Sequence, residues 1–262
     1  MKVSVIMPLF NGKVSHVEKA LFSVLNQAYV AEILVINESI QTDMNNMITS
    51  FCLKYPIVKN VAPDSKIGLA KSLNLGLSLT SCDFVARMDS DDISLSDRFE
   101  KQANYLMRNP DVAIVGSAIE LIDDTGNITG KRFFPKIVRP DSLHTNLFSP
   151  VSHPATMFRK SKLRNISQLY NSDLQYAEDL QLWLRLLDEG LCIHNLQETL
   201  LQYRVSKKER SRIHWNAVQK IRFEAFCRRA SITRAITFVI AIIIMFMPSK
   251  VKSFLRHLLN KR

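Results

Sequence analysis

Residues 85–92 read Val-Ala-Arg-Met-Asp-Ser-Asp-Asp, an apolar run that ends in three carboxylates within four positions. An unpaired carboxylate in an apolar interior is costly by several kcal/mol. Asp89, Asp91 and Asp92 are therefore expected at the end of a strand, where positive charge can meet them. Asp89 and Asp91 are two apart, which puts their oxygens on one side of an extended chain. Hard divalent cations, Mn2+ or Mg2+, bind through one or two carboxylates and keep other positions for water and phosphate oxygens. Such a site suits a nucleoside diphosphate. The same residues also read as an acidic turn in which Asp92 or Ser94 caps the next helix, and the motif alone leaves both readings open.

A second carboxylate pair, Glu178-Asp179, precedes a helical stripe of Leu180, Trp183, Leu184 and Leu187. A helix start favours carboxylates through the macrodipole and commonly uses one as a cap. A carboxylate there can equally act as a general base toward a hydroxyl.

The elements that must position these groups follow from apolar periodicity. Lys2–Met7, Glu32–Ile36, Ile57–Ala62, Asp83–Met88 and Val112–Gly116 read as strands. The first is apolar at nearly every position, the pattern of a strand covered on both faces. Between them lie helical runs: one after Ser15 and Glu18, which form a capping-box pattern, then Asp43–Lys54, Gly68–Leu79 and Asp97–Arg108. This alternation predicts an α/β fold with a Rossmann-like, mostly parallel sheet flanked by helices. In such sheets the ligand lies at the carboxyl ends of the strands. Pro8–Asn11, Asn37-Glu38, Ser65–Gly68 and Asp89–Asp92 all fall there. After residue 117 the pattern changes. Asp124–Asn127 reads as a hairpin turn, Pro140-Asp141 as the start of a short helix, and His153–Phe158, Ile193–Leu196 and Leu200–Tyr203 as short strands.

Four segments in this order resemble family 2 inverting glycosyltransferases of the GT-A fold, the bacterial O-antigen and exopolysaccharide enzymes of amylovoran type among them. They are Val3–Asn11, Ile67–Gly76, Ala86–Asp92 and Glu178–Trp183, supported by Arg98–Gln102. The resemblance spans roughly residues 2–205. It implies a hexose moved from a UDP-sugar to a lipid-diphosphate-linked saccharide, with inversion and with Mn2+ or Mg2+ as cofactor. It implies metal contact at Asp91 and Asp89, and Asp179, with Glu178 second, as the base. Nucleotide-sugar contacts are expected at Pro8, Phe10, Asn11, Glu38, Gly68, Lys71, Arg87, Asp89 and Ser90, and acceptor or diphosphate contacts at His153 and Trp183. For these last two a structural histidine and a core tryptophan are the competing readings. The family's second strand usually ends in two carboxylates and a glycine; here Asn37-Glu38-Ser39 keeps one carboxylate.

The organisation expected is a nucleotide-sugar half at residues 1–116, an acceptor and catalytic-base half of the same domain at 117–205, and a helical appendix at 206–262. The net charge of +11 is uneven: residues 204–262 hold 15 Lys and Arg against 2 Asp and Glu, whereas residues 1–203 hold 20 against 22. Cys52, Cys82, Cys192 and Cys227 form no CxxC pair, which argues against a zinc site or disulfide framework and fits a reducing cytoplasm. The N-terminus, with Lys2 alone and an apolar run broken by Pro8, does not read as a signal peptide. Ala235–Met247 is uncharged but shorter than the roughly 20 residues of a spanning helix. Ser249–Arg262 alternates apolar and basic residues. Together they are expected to attach the chain to an anionic membrane surface, at the cytoplasmic face of a bacterial inner membrane. A helical hairpin packed on the protein itself is the other reading.

Two other functions were weighed. A sugar-nucleotide-forming nucleotidyltransferase would want a Gly-rich phosphate loop after the first strand, and only Asn11-Gly12-Lys13 is present. A nucleic-acid binder would interleave its basic residues with aromatics, whereas this appendix interleaves them with aliphatics, so no nucleic acid is expected as a partner.

Overall fold

The computed structural model describes residues 1–205 and 211–247. The alternating elements form as expected: β1 (Val3–Leu9), α1 (Val14–Leu25), β2 (Val30–Asn37), α2 (Thr42–Lys54), β3 (Val58–Val61), α3 (Leu69–Leu79), β4 (Phe84–Arg87), β5 (Ile93–Ser94) and α4 (Arg98–Arg108). They are followed by β6 (Val112–Ile122), β7 (Ile128–Arg132), α5 (Leu143–Leu147), β8 (Met157–Arg159), α6 (Glu178–Asp188), β9 (Cys192–Arg204), α7 (Arg212–Arg228) and α8 (Ile232–Phe246). One sheet runs in the order β3-β2-β1-β4-β8-β6-β9-β5, with β7 on β6. β3, β2, β1 and β4 are mutually parallel, as are β6 and β9; β8 runs antiparallel between β4 and β6.

β1 shows why the first strands are apolar on both faces. Val3, Val5, Met7 and Leu9 pack with α1, α2 and α4, while Ile6 packs with α3 and α6 on the other side. A Cβ on Gly76 would lie 2.6 Å from the Ile6 side chain, so glycine lets α3 press onto β1. At the opposite end of the sheet from the acidic triplet, Glu32 is 3% exposed. Its carboxylate accepts from Ser4 Oγ (2.7 Å), Lys59 Nζ (2.6 Å), and Ser81 N and Oγ (2.8 and 2.7 Å). Burial pushes its pKa up, but the Lys59, Ser4 and Ser81 hydrogen bonds outweigh that and bring it to about 2. This pKa lies below the unfolded one, so the stabilisation is full above about pH 4.5 and is lost as pH falls toward 2. We expect Glu32→Ala to lower stability by about 3 kcal/mol at pH 7. The deficit against wild type should shrink in urea melts near pH 3; an equal deficit at both pH values would mean that the carboxylate charge is not what matters.

Several expectations are corrected. α1 starts at Val14 with Lys13 in the cap position and no side-chain cap, so Ser15 and Glu18 form no capping box. His153–Ala155 is a 3-10 turn, and only Met157–Arg159 of the expected strand pairs in the sheet. The two short strands near residues 193–203 are one strand, β9. Leu196 pairs with Ser117 and Thr199 with Ala118, so Gln197 and Glu198 bulge out where a break was read. β6 crosses residues 116 and 117, so the two halves of the domain share one sheet.

The appendix is not a detached tail. α7 packs Val218, Ile221 and Ala225 against Leu180 and Leu184 of α6. Buried Arg234 on α8 donates to Asp188 Oδ1 (2.5 Å) and Oδ2 (3.2 Å) at the end of α6, and to Ala225 O (2.6 Å) on α7. Ala235–Met247 therefore lies in a helical hairpin docked on the domain, which is the second of the two readings of this run. Among the described residues no helix is long and apolar enough to cross a membrane. The expected amphipathic stretch Ser249–Arg262 lies outside the described residues.

Candidate active site

The strand order reverses between β1 and β4, and a cleft of about 390 Å³ opens at their carboxyl ends. One wall is the turn after β1, residues 8–13; the other is Asp89-Ser90-Asp91 after β4; Glu38, Lys66 and Gly68 close the third side. The structure thus brings Pro8, Phe10, Asn11, Glu38, Gly68, Asp89, Ser90 and Asp91 together. Lys66 places its ammonium 4.0 Å from the centroid of the Phe10 ring.

Glu38 lines the cleft, yet its carboxylate is already engaged. Oε2 accepts from Ile67 N (2.8 Å) and Gly68 N (2.9 Å), and Oε1 from Ser72 Oγ. It satisfies the amides that open α3, where Gly68 takes φ +83°. Asn37 faces inward, exchanging hydrogen bonds with Asn45 Oδ1 (3.0 Å) and Ser39 N (3.0 Å). Glu38 thus lines the cleft as expected of a nucleotide-sugar contact and also clamps the loop that borders it. Lys71 is corrected: it is exposed on α3, outside the cleft, because its neighbours Ala70 and Ser72 take the inward positions.

The acidic triplet divides its work. Asp89 and Asp91 face the cleft. Burial and then the Asp89 charge raise the Asp91 pKa. Two carboxylates on one cleft wall, Asp89 half-buried and Asp91 exposed, are a fit for a divalent cation. Among the described residues no three His, Cys, Asp or Glu side chains are grouped as a complete cage. Water and phosphate oxygens must complete the shell, as is usual for Mg2+. Asp92 neither caps a helix nor reaches the cleft. It is fully buried, accepts from Arg204 N (2.8 Å), and has its pKa pushed well up by burial and by its two neighbours. Ser94 is no cap either, since α4 starts at Arg98 after Asp97. Arg204 also donates to Asp91 O (2.9 Å) and Asp123 O (2.7 Å), tying the triplet's backbone to the β6–β7 turn.

Beneath the cleft Arg87 is buried and pairs with Asp89 at 2.5 Å. Its Nε and Nη1 have no protein partner. Beside it, His153 Nε2 lies 2.8 Å from Tyr170 Oη, and burial and then the Arg87 charge hold the imidazole neutral. Tyr170 was not foreseen. Its backbone is gripped at both ends by Asn74, from Tyr170 N to Oδ1 and from Nδ2 to Tyr170 O, each 2.8 Å. Trp183 is 0% exposed, stacks on Phe158 at 6.1 Å and meets His153 edge-on at 5.7 Å. Its expected acceptor contact is corrected to a core position, and His153 is corrected to a buried support under the site.

Glu178 and Asp179 occupy the first turn of α6, after Ala177 in left-handed conformation (φ 58°). Asp179 Oδ1 accepts from Leu180 N (2.8 Å). Burial and then the Asp179 charge raise the Glu178 pKa to about 7; Arg87 lowers it and Asp89 raises it further. The Asp89 charge thus reaches the Glu178 carboxyl, although neither α6 carboxylate lines the cleft.

A sheet of this order, with an Asp-x-Asp turn at its switch point and a carboxylate pair opening α6, is the arrangement of a GT-A glycosyltransferase. Residues 4–166 match the glycosyl transferase family 2 model, and the chain belongs to that family. It is 32% identical to the amylovoran biosynthesis glycosyltransferase AmsE of Erwinia amylovora, over 96% of this chain and 97% of that protein. It is 29% identical to an Escherichia coli UDP-Gal:alpha-D-GlcNAc-diphosphoundecaprenol beta-1,3-galactosyltransferase, over 97% of this chain and 94% of that one. Its fold matches Staphylococcus aureus TarS 1–349 in complex with UDP, with a TM-score of 0.70, 17% identity, and 97% and 74% of the two chains covered.

Proposed function

We propose that this glycosyltransferase moves a hexose from a UDP-sugar to a lipid-diphosphate-linked saccharide in surface polysaccharide assembly, with inversion and with Mn2+ or Mg2+ at Asp91 and Asp89. The observation that carries the reading is the Asp89–Asp91 wall of the cleft at the switch point of the sheet, with the α6 carboxylates near enough for the Asp89 charge to raise the Glu178 pKa. The donor and acceptor named for the Escherichia coli relative support it. When bound, the cation offsets charge on the leaving diphosphate as a Lewis acid. The chain's own residues do the rest. The residue 8–13 turn and Lys66 hold the nucleoside end. Arg87 keeps Asp89 oriented from below. The α6 carboxylate pair takes the proton from the acceptor hydroxyl, whose oxygen then attacks the anomeric carbon opposite the diphosphate. Attack from that side is what inverts the anomeric centre. The cytoplasmic face of the inner membrane is the proposed setting, because there both a sugar nucleotide and a lipid carrier are within reach.

The test is nucleoside diphosphate release by purified protein, across a panel of sugar nucleotides, with a short-chain prenyl diphosphate saccharide as acceptor. Release of UDP that depends on the acceptor is the expected result. Formation of a sugar nucleotide from a nucleoside triphosphate and a sugar phosphate would replace this reading with nucleotidyl transfer.

A further inference from the structure

α8 has two opposite faces. Arg234, Thr237 and Ala241 are buried against the domain. Ile232, Ile236, Val239, Ile243 and Phe246 are between 50% and 81% exposed. At 3.6 residues per turn these five fall within an arc of about 80°. Phe223 on α7 widens the patch, half-exposed with its ring 5.7 Å from that of Phe238. A continuous apolar face is rarely left in water. Below it, α8 is held in place by the Arg234–Asp188 ion pair, so the face has a fixed orientation.

We infer that the outer face of α8 is the seat on which the protein rests on an anionic bilayer, and that this seat sets the reach of the transfer site above the lipid headgroups. The inference rests on the transferase reading above and adds the attachment surface and its distance from the site. The occupant follows from three observations. The face is apolar without a single charge from 235 to 247, which suits the acyl boundary. In sequence the run lies within a basic stretch, residues 204–262 holding 15 Lys and Arg against 2 Asp and Glu, which suits anionic headgroups, although Arg228 and Arg229 themselves pair with Asp188 and Asp141. And among the described residues no helix is long and apolar enough to cross a membrane, which agrees with a helix that lies along a surface.

The reach follows from α6. Asp188, its last residue, touches Arg234 in the first turn of α8, and Glu178 and Asp179 are its first two. Eleven helical residues cover about 16 Å. The carboxylate pair is therefore held close to the seat whatever the tilt, and the acceptor hydroxyl belongs to a short saccharide still attached to its carrier.

The experiment is flotation of the full-length protein with vesicles of phosphatidylcholine alone or with phosphatidylglycerol added, beside a triple variant Ile236→Asp, Val239→Asp, Ile243→Asp. These side chains are exposed, so circular dichroism and the urea midpoint should not change. Wild type is expected to float with the phosphatidylglycerol vesicles and to be released only in part by high salt. The triple variant should stay at the bottom. It should keep transfer to a water-soluble acceptor while losing transfer to a vesicle-borne lipid acceptor by at least about tenfold. Equal flotation of the variant would overturn the inference. So would a wild-type dimer that ignores vesicles and that the triple variant dissociates, because the face would then join two copies. Loss of transfer to every acceptor in wild type, with flotation intact, would instead remove the transferase reading.

Discussion

Asp91→Ala should reduce transfer by at least about a thousandfold and remove the metal-dependent part of UDP binding. The argument is electrostatic. A diphosphate leaves with charge that must be met in a cleft whose wall already carries Asp89 and Asp91. Burial and then the Asp89 charge raise the Asp91 pKa, so a cation beside the pair would favour its ionised form. A bound cation supplies several kcal/mol at the leaving oxygen, and each 1.36 kcal/mol is about tenfold in rate. Asp92→Asn separates this effect from damage to the fold. That residue is fully buried on Arg204 N and faces no ligand. It should shift the melting midpoint more than the rate. UDP binding would be followed by calorimetry with and without Mn2+. Full activity of Asp91→Ala, or wild-type transfer undiminished in excess EDTA, would rule out the metal.

The first half of the chain was legible because parallel strands buried on both faces leave an unbroken apolar signature. Val3–Leu9 and Val30–Asn37 carry it, and the polar residues that end such strands mark the cleft. What could not be read was which polar residue faces the ligand and which supports the backbone. Glu38 sits at a ligand-facing position, but the amides of residues 67 and 68, about thirty positions away, take its carboxylate. Lys71 and Trp183 differ only in which side of their helices meets the sheet. That side is set by Gly76 against Ile6 for α3 and by Phe158 for α6. Tyr170 lies in a segment without periodicity, and its place beside His153 depends on Asn74, far away in sequence. The α7–α8 hairpin was half legible. The apolar run announced a helix, but nothing in the sequence marks Arg234, just before it, as the buried anchor.

Asp179→Asn should leave the fold and UDP-sugar binding intact and lower kcat by at least about a hundredfold, the scale of a positioned general base. The two α6 carboxylates interact. Asp179 accepts a backbone amide of its own helix at the positive end of the macrodipole. Burial and the Asp179 charge raise Glu178 to about 7. Below that pH Glu178 carries a proton. As pH rises through 7 a charge forms on Glu178 beside the proposed base, so kcat should climb across that range. Glu178→Gln should keep activity but flatten the climb. The same shift has a consequence for stability. A carboxyl whose pKa is higher folded than unfolded favours the fold at low pH and loses that benefit as pH rises from about 4.5 to 7. Glu178→Gln should therefore melt higher than wild type at pH 8 and show little difference at pH 4. An inactive Glu178→Gln beside an active Asp179→Asn would move the base one residue back. Activity in both would leave the pair as a helix cap and nothing more.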